Sequence, residues 1–118
     1  MSKLTKEQIK EFKETESDAE ASYDFKSLAD DVADADDKEW ASKLYKKAEE
    51  LAEEKDDYQS LADSVVADDY LGDKKWALKL YKKAEELAED SDDYQSIAES
   101  VVYYDVGDKK WALKLYKK

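Results

Sequence analysis

The sequence predicts an all-α fold of stacked helical hairpins, and three observations lead to this prediction. Trp40, Trp76 and Trp111 follow one another at intervals of 36 and 35 residues, and a tyrosine follows each tryptophan at a constant distance. Each tryptophan opens a segment with apolar residues at helical spacing. A second, shorter apolar segment precedes each of these. A fixed period of this size is typical of stacked repeats, in which each unit is one pair of helices.

The longer segment of each unit begins at its tryptophan. Residues 40–53 read WASKLYKKAEELAE and residues 76–89 read WALKLYKKAEELAE, so 13 of 14 positions are identical. Residues 72–83 and 107–118 both read GDKKWALKLYKK. Apolar residues recur at i, i+4, i+8 and i+11, and lysine and glutamate fill the other face. This pattern predicts an amphipathic helix of about 15 residues.

A shorter helix is predicted before each tryptophan. Its three copies are FKSLADDV from Phe25, YQSLADSV from Tyr58 and YQSIAESV from Tyr94. Asp56 and Gln59 form an Asp-x-x-Gln pattern that resembles a capping box at the start of the second copy. Gly72 and Gly107 are the two glycines of the chain. We expect each to lie where one helix stops and another begins, and the aspartate after each to cap the next helix.

The first 20 residues predict an N-terminal capping helix. Thr5-x-x-Gln8 is a capping signal, and the segment FKETE from Phe12 resembles YKKAE from Tyr45, which lies 33 residues later. We therefore expect seven helices in a single repeat domain. The predicted boundaries within residues 1–118 are 1–20 for the capping helix, 22–54 for repeat 1, 56–90 for repeat 2 and 92–118 for a truncated repeat 3. The last helix lacks the AEELAE half of its sister helices, so we expect its apolar face to be poorly covered.

Composition and charge restrict the function. The 118 residues include 20 Lys and 32 acidic residues, which gives a net charge of −12 at pH 7, and Cys, His, Pro, Arg and Asn are absent. Without imidazole or thiolate, most zinc and haem sites and most catalytic triads are excluded. We therefore expect no enzyme activity, no metal and no cofactor. The negative charge argues against nucleic acid, and the absence of a long apolar run argues against a membrane partner and for a cytoplasmic location.

Acidic residues cluster in two ways that suggest ligands. Two aspartate groups lack the register of a calcium-binding EF-hand loop, so we expect no calcium site there. These groups are Asp34, Asp36 and Asp37, and Asp68, Asp69 and Asp73. An acidic ridge near the ends of the Trp-containing helices could dock a basic partner, although a solvated edge without a ligand has the same pattern. The ridge comprises Glu49, Glu50, Glu53, Glu54, Asp56, Asp57, Glu85, Glu86, Glu89, Asp90, Asp92 and Asp93.

The paired segments resemble the tetratricopeptide repeat (TPR). In the first unit, the residues that carry the resemblance are Phe25, Leu28, Ala29 and Val32, followed by Ala41, Tyr45 and Ala48. The second unit matches with Tyr58, Leu61, Ala62 and Val65 and with Ala77, Tyr81 and Ala84. The third unit matches with Tyr94, Ile97, Ala98 and Val101 and with Ala112 and Tyr116. The resemblance implies a right-handed α-α superhelix of about three helical-hairpin repeats, whose first helices line a concave groove that binds peptides or protein segments.

The resemblance also implies which residues line the peptide-binding groove. They are Lys26 and Asp30, Gln59 and Asp63, and Gln95 and Glu99, with Tyr103 as an aromatic neighbour. TPR proteins that clamp a C-terminal carboxylate use Lys, Arg and Asn in this groove. The groove here is mostly acidic and amide, so we expect no carboxylate clamp and instead a basic protein or peptide as the partner.

Three hypotheses about function remain open. The first is a non-catalytic module that binds a protein or peptide in the acidic groove. The second is an engineered or consensus repeat scaffold with no natural ligand, which the near-identical copies favour. The unequal loops before Trp76 and Trp111 count against it, as do helix charges that oppose the macrodipole, with Lys74 and Lys75 first and Glu85 and Glu86 last. The third is a homo-oligomer that forms through the C-terminal helix.

Overall fold

The computed structural model describes residues 4–67, 70–107 and 109–118. These residues contain seven α-helices and no β-strand, which confirms the predicted all-α class. The helices are α1 Lys6–Asp18, α2 Ser22–Asp34, α3 Lys38–Leu51, α4 Lys55–Val66, α5 Lys74–Leu87, α6 Ser91–Tyr104 and α7 Lys109–Lys117. The molecule is elongated, with principal dimensions of 50 × 27 × 16 Å.

Two of the predicted helix caps form as expected. The Gln8 backbone N–H donates to Thr5 Oγ1 at 3.1 Å, and the Thr5 N–H donates to Gln8 Oε1 at 3.0 Å, which completes the capping box of α1. Asp73, which follows the first glycine, accepts the Trp76 N–H at 3.0 Å and caps α5. Asp108, the cap predicted for α7, lies outside the described residues.

The capping box predicted at Asp56 and Gln59 is wrong. Helix α4 begins before Asp56, and its third residue, Asp57, binds the free backbone amides. Asp57 Oδ2 accepts the N–H of Glu53 at 3.0 Å and that of Glu54 at 3.2 Å. A carboxylate at this position binds the amides of the two residues that precede the helix. The Gln59 side chain is therefore released from capping.

The helices after α1 pack as hairpins around buried small residues. Helix α2 lies along α3, α4 along α5, and α6 along α7. Alanines at these contacts let the helix axes approach closely, and larger side chains fill the remaining space. The fully buried alanines are Ala29, Ala41, Ala48, Ala62, Ala77, Ala84 and Ala98. The largest fully buried side chains are those of Tyr45 and Tyr81.

Successive hairpins meet in two layers. In the first-helix layer, formed by α2, α4 and α6, α2 packs directly against α4, and α4 against α6. In the Trp-helix layer, formed by α3, α5 and α7, the helices meet through long side chains. The Trp76 ring packs edge-on against Tyr45, with 6.5 Å between ring centroids, and Trp76 Nε1 donates to Glu49 Oε1 at 3.1 Å. Trp111 Nε1 donates to Glu85 Oε1 in the same way, at 3.0 Å.

Helix α1 repeats this contact although it has no tryptophan of its own. The Phe12 ring packs edge-on against Trp40 with 6.0 Å between centroids, and Trp40 Nε1 donates to Glu16 Oε1 at 3.3 Å. Phe12 and Glu16 thus take the roles that Tyr45 and Glu49 take one unit later. The contacts of α1 match those of the C-terminal half of a Trp-containing helix, as the sequence alignment of FKETE with YKKAE predicted.

Charge is divided between the two layers. Counting Asp, Glu and Lys within the helix bounds gives net charges of −3, −2 and −3 for α2, α4 and α6. The same count gives +1, +3 and +4 for α3, α5 and α7. The first-helix layer is therefore acidic and the Trp-helix layer is basic, although the chain as a whole carries a net charge of −12.

Candidate functional site

The structure places the seven predicted groove residues in two different environments. All of them lie on helices of the first-helix layer. Lys26, Asp30, Gln59 and Asp63 are half-buried and contact neighbouring side chains, whereas Gln95, Glu99 and Tyr103 are exposed. The contacts of each group determine which side chains could meet a partner.

Asp30 on α2 is engaged by two neighbours. Its Oδ2 atom lies 3.1 Å from Lys26 Nζ, one turn earlier on the same helix. Its Oδ1 atom accepts a hydrogen bond from the Tyr45 hydroxyl at 2.5 Å. Lys26 Nζ also lies 5.6 Å from the centroid of the Tyr23 ring, a cation–π distance. Lys26 and Asp30 therefore form an ion pair on α2, and the exposed ring of Tyr23 lies next to it.

Asp63 on α4 is also half-buried, and it contacts two other helices. Its carboxylate accepts a short hydrogen bond from the hydroxyl of Tyr81 on α5. Burial raises the pKa of Asp63 above its ordinary value, and the hydrogen bonds from Tyr81 and Ser100 partly oppose this. Burial and the contact with Asp63 likewise raise the pKa of Tyr81. The Asp63 carboxylate thus joins α4 to α5 and α6, and its lone pairs are largely occupied.

Gln59 also joins two helices of the first-helix layer. Its Nε2 atom donates to the Ser96 carbonyl at 3.2 Å, to Ser96 Oγ at 2.8 Å and to Ser100 Oγ at 3.3 Å. These bonds run from α4 to α6. Gln59 and Asp63 therefore hold the junction between two hairpins, and a role for them in peptide binding stays a prediction.

The equivalent residues of α6 are open to solvent. Gln95 Nε2 donates to Glu99 Oε1 at 3.3 Å, within the helix, and both side chains are exposed. Tyr103 is 80% exposed and packs edge-on against Tyr104, with 4.8 Å between ring centroids. These three side chains of the predicted set are the most accessible to another molecule.

A cleft between α2 and α4 joins residues that the sequence singled out to three that it did not, Ser22, Tyr23 and Ser60. This cavity of about 230 Å³ is lined by Ser22, Tyr23, Lys26, Asp56, Asp57 and Ser60. Tyr23 is exposed and lies three residues before Lys26, on the same helical face. Asp56 takes the place of Tyr23 in the next copy of the motif. The repeat alignment, extended by one turn toward each helix N-terminus, would also have identified Tyr23.

The structure brings some residues of the predicted acidic ridge close together. Glu53, Glu54, Asp56, Glu89 and Asp93 line a second cavity of about 360 Å³, together with Lys55 and Leu87. Lys55 Nζ lies 3.2 Å from Asp56 Oδ1 and 3.9 Å from Asp93 Oδ1. The lysine therefore neutralises part of the negative charge where the ends of two hairpins meet.

The part of the chain that the structure describes brings together no group of three or more His, Cys, Asp or Glu side chains that could hold a metal ion. Asp68 and Asp69, from one of the two aspartate groups, lie outside it. Within that same part, every helix is too short or too polar to cross a lipid bilayer.

The resemblance to the TPR family rests on the sequence motifs alone, because comparisons of the chain with protein-family models, curated proteins and solved structures found no match.

Proposed function

We propose that the protein is a non-catalytic, TPR-like repeat module that binds a basic protein or peptide segment through its first-helix layer. In this proposal the three hairpins are repeats of a right-handed superhelix, and α1 is its cap. Two features of the packing support this. The Trp–Glu contact recurs from one Trp-containing helix to the next, and indole side chains separate these helices, whereas α2, α4 and α6 pack directly. Such packing curves the stack, with the first-helix layer on the inside.

The charge of the first-helix layer favours a basic partner. Each of its helices has a net negative charge. A surface with an excess of one sign of charge attracts ligands of the opposite sign and accelerates their association. A partner segment rich in Arg or Lys is therefore attracted to this face, whereas the basic Trp-helix layer repels it.

The cleft between α2 and α4 is the observation on which the proposal mainly rests. It combines an exposed aromatic ring, Tyr23, with the exposed carboxylate of Asp56. An arginine guanidinium can stack on the face of a tyrosine and bind a carboxylate at the same time. The ion pair of Asp56 with Lys55 is exposed on the aspartate side, so a partner cation can compete with it at low cost. We infer that an arginine of the partner enters this cleft.

A peptide titration tests the proposal. We would measure the fluorescence polarisation of a labelled Arg–Ala decapeptide and of its Glu–Ala counterpart, at about 50 and 150 mM salt, where screening differs. The basic peptide should bind, more tightly at low salt, and the acidic peptide should not. In a Tyr23→Ala/Asp56→Lys variant the dissociation constant should rise at least about tenfold.

A matched variant serves as the control. Glu86→Lys makes the same change of charge on the exposed surface of α5 and should leave the affinity close to that of the wild type. Equal binding of the two peptides, or equal losses in the two variants, would contradict the proposal. The alternative is an engineered or consensus scaffold without a natural ligand, which the identity of residues 72–83 and 107–118 favours. Failure of the wild type to bind the basic peptide would support that alternative.

A further inference from the structure

The outer side of the last hairpin repeats a surface that is covered inside the molecule. We call it the terminal face; it consists of Gln95, Glu99, Val102 and Tyr103 of α6 and Leu113 and Tyr116 of α7. Their counterparts one unit earlier are Gln59, Asp63, Val66, Ala67, Leu78 and Tyr81. Helix α6 covers part of that inner surface, because Gln59 and Asp63 bond to its serines. The segment leading into α7 covers another part, since a Cβ atom on Gly107 would lie 3.2 Å from Leu78 Cδ1.

Equivalent side chains differ sharply in exposure between the two surfaces. Val66 is 3% exposed, whereas Val102 is 56% exposed. Tyr81 is fully buried, whereas Tyr116 is 48% exposed. Leu78 is partly buried, but Leu113, in an identical stretch of sequence, is 56% exposed. The apolar side chains of the terminal face are therefore exposed to solvent, although their counterparts one unit earlier are buried or partly buried.

The two helices that carry the terminal face have net charges of opposite sign. Helix α6 has a net charge of −3 and contains no lysine, while α7 has a net charge of +4 and contains no acid. The two helices lie side by side, and each carries exposed apolar residues. A two-fold axis through this face and parallel to the helices sets α6 of each copy against α7 of the other, so the dimer has two contacts between an acidic and a basic helix.

We propose that the terminal face is the interface of a two-fold symmetric homodimer. Val102, Leu113 and Tyr116 form its apolar centre. At its edge, Glu99 of one protomer lies against the basic α7 of the second copy, where Lys117 is one turn from Leu113 and on the same side of the helix. Helix α7 is the most basic helix of a chain whose net charge is −12, so this orientation opposes the general repulsion between two copies.

Sedimentation equilibrium of the full chain tests the dimer. From low micromolar to millimolar concentrations, the wild type should move from the monomer mass of 13.6 kDa toward twice that mass and no further. Leu113→Glu should raise the dissociation constant at least about tenfold. Leu51→Glu puts the same change at an exposed site on α3 and should leave the dissociation constant unchanged. Circular dichroism checks that both variants keep the wild-type helix content.

A charge exchange tests the orientation of the two copies. Glu99→Lys and Lys117→Glu should each weaken the dimer, and the double variant should recover most of the lost affinity. A wild type that stays monomeric at millimolar concentration would overturn the proposal. So would a dimer that survives Leu113→Glu, or a mass that keeps growing with concentration. The peptide titration uses variants in the cleft between α2 and α4, so either proposal can fail while the other stands.

Discussion

Asp63 and Glu99 show how one sequence position can have two environments. Both follow the buried alanine of the shorter-helix motif, and both were predicted to line a groove. Asp63 lies under α6, where it accepts the Tyr81 hydroxyl and where burial raises its pKa. Glu99 lies on the exposed side of the last hairpin and contacts Gln95 of its own helix. A substitution at Asp63 therefore tests the stability of the fold, whereas one at Glu99 tests binding to another molecule.

Tyr81 and Tyr116 occupy equivalent positions in these two environments, so replacing each with phenylalanine compares the two. Tyr81→Phe leaves the half-buried Asp63 carboxylate without one of its two donors and should lower the free energy of unfolding by about 1–3 kcal/mol. Tyr116→Phe, at the half-exposed counterpart, should change it by less than about 0.5 kcal/mol. Urea denaturation followed by circular dichroism measures both. Equal losses would mean that the contact between Tyr81 and Asp63 contributes nothing specific.

At the scale of the helix, the arrangement of charges has a tertiary explanation. Glutamates near the C-terminus of a helix oppose the macrodipole, and α3 and α5 both carry two there. Glu49 and Glu85 each accept the indole N–H of the next Trp-containing helix. Each of these two glutamates is unfavourably placed in its own helix, but it accepts a hydrogen bond from the next Trp-containing helix. Glu50 and Glu86 instead pair with lysines three residues earlier.

Two adjacent glutamates on α3 allow this explanation to be tested. Glu49→Ala removes a charge-assisted hydrogen bond to Trp76, typically worth about 1.5–3 kcal/mol, but also relieves about 0.3–1 kcal/mol of dipole repulsion. We expect a net loss of about 1 kcal/mol in the free energy of unfolding. Glu50→Ala, one residue later and exposed, should change it by less than about 0.5 kcal/mol. Urea denaturation again gives both values, and a loss at Glu50 as large as that at Glu49 would refute the explanation.

At the scale of the whole molecule, stability should vary along the stack. Helix α1 contains no buried residue; it packs against α2 and, through Phe12 and Glu16, against Trp40 of α3. Helix α4 lies in the middle of the stack, between α2 and α6, and has five buried residues.

Hydrogen exchange measured by mass spectrometry tests this gradient. Amides of α1 should exchange well before those of α4, because local opening of α1 exposes little apolar surface. Glu16→Ala should accelerate exchange in α1 further and leave α4 unchanged. Equal protection of the two helices would show that the stack unfolds as one unit.

The sequence by itself determined the helices and the way in which they repeat. Helical period and capping depend on residues within a few positions of one another, so Thr5 and Asp73 could be identified as caps and FKETE as a copy of YKKAE. The cap predicted at Asp56 failed because the helix begins one residue earlier, and Asp57 at its third position accepts the N–H groups of Glu53 and Glu54.

Only the tertiary structure decided which copies of a repeated residue are exposed to solvent. Gln59 and Gln95 stand in nearly identical motifs, yet one bonds to the neighbouring helix and the other faces solvent. Val66 and Val102 differ in the same way. A periodic sequence specifies the same side chains in every unit, but their burial depends on what packs against each unit, and that differs between the middle of a stack and its end.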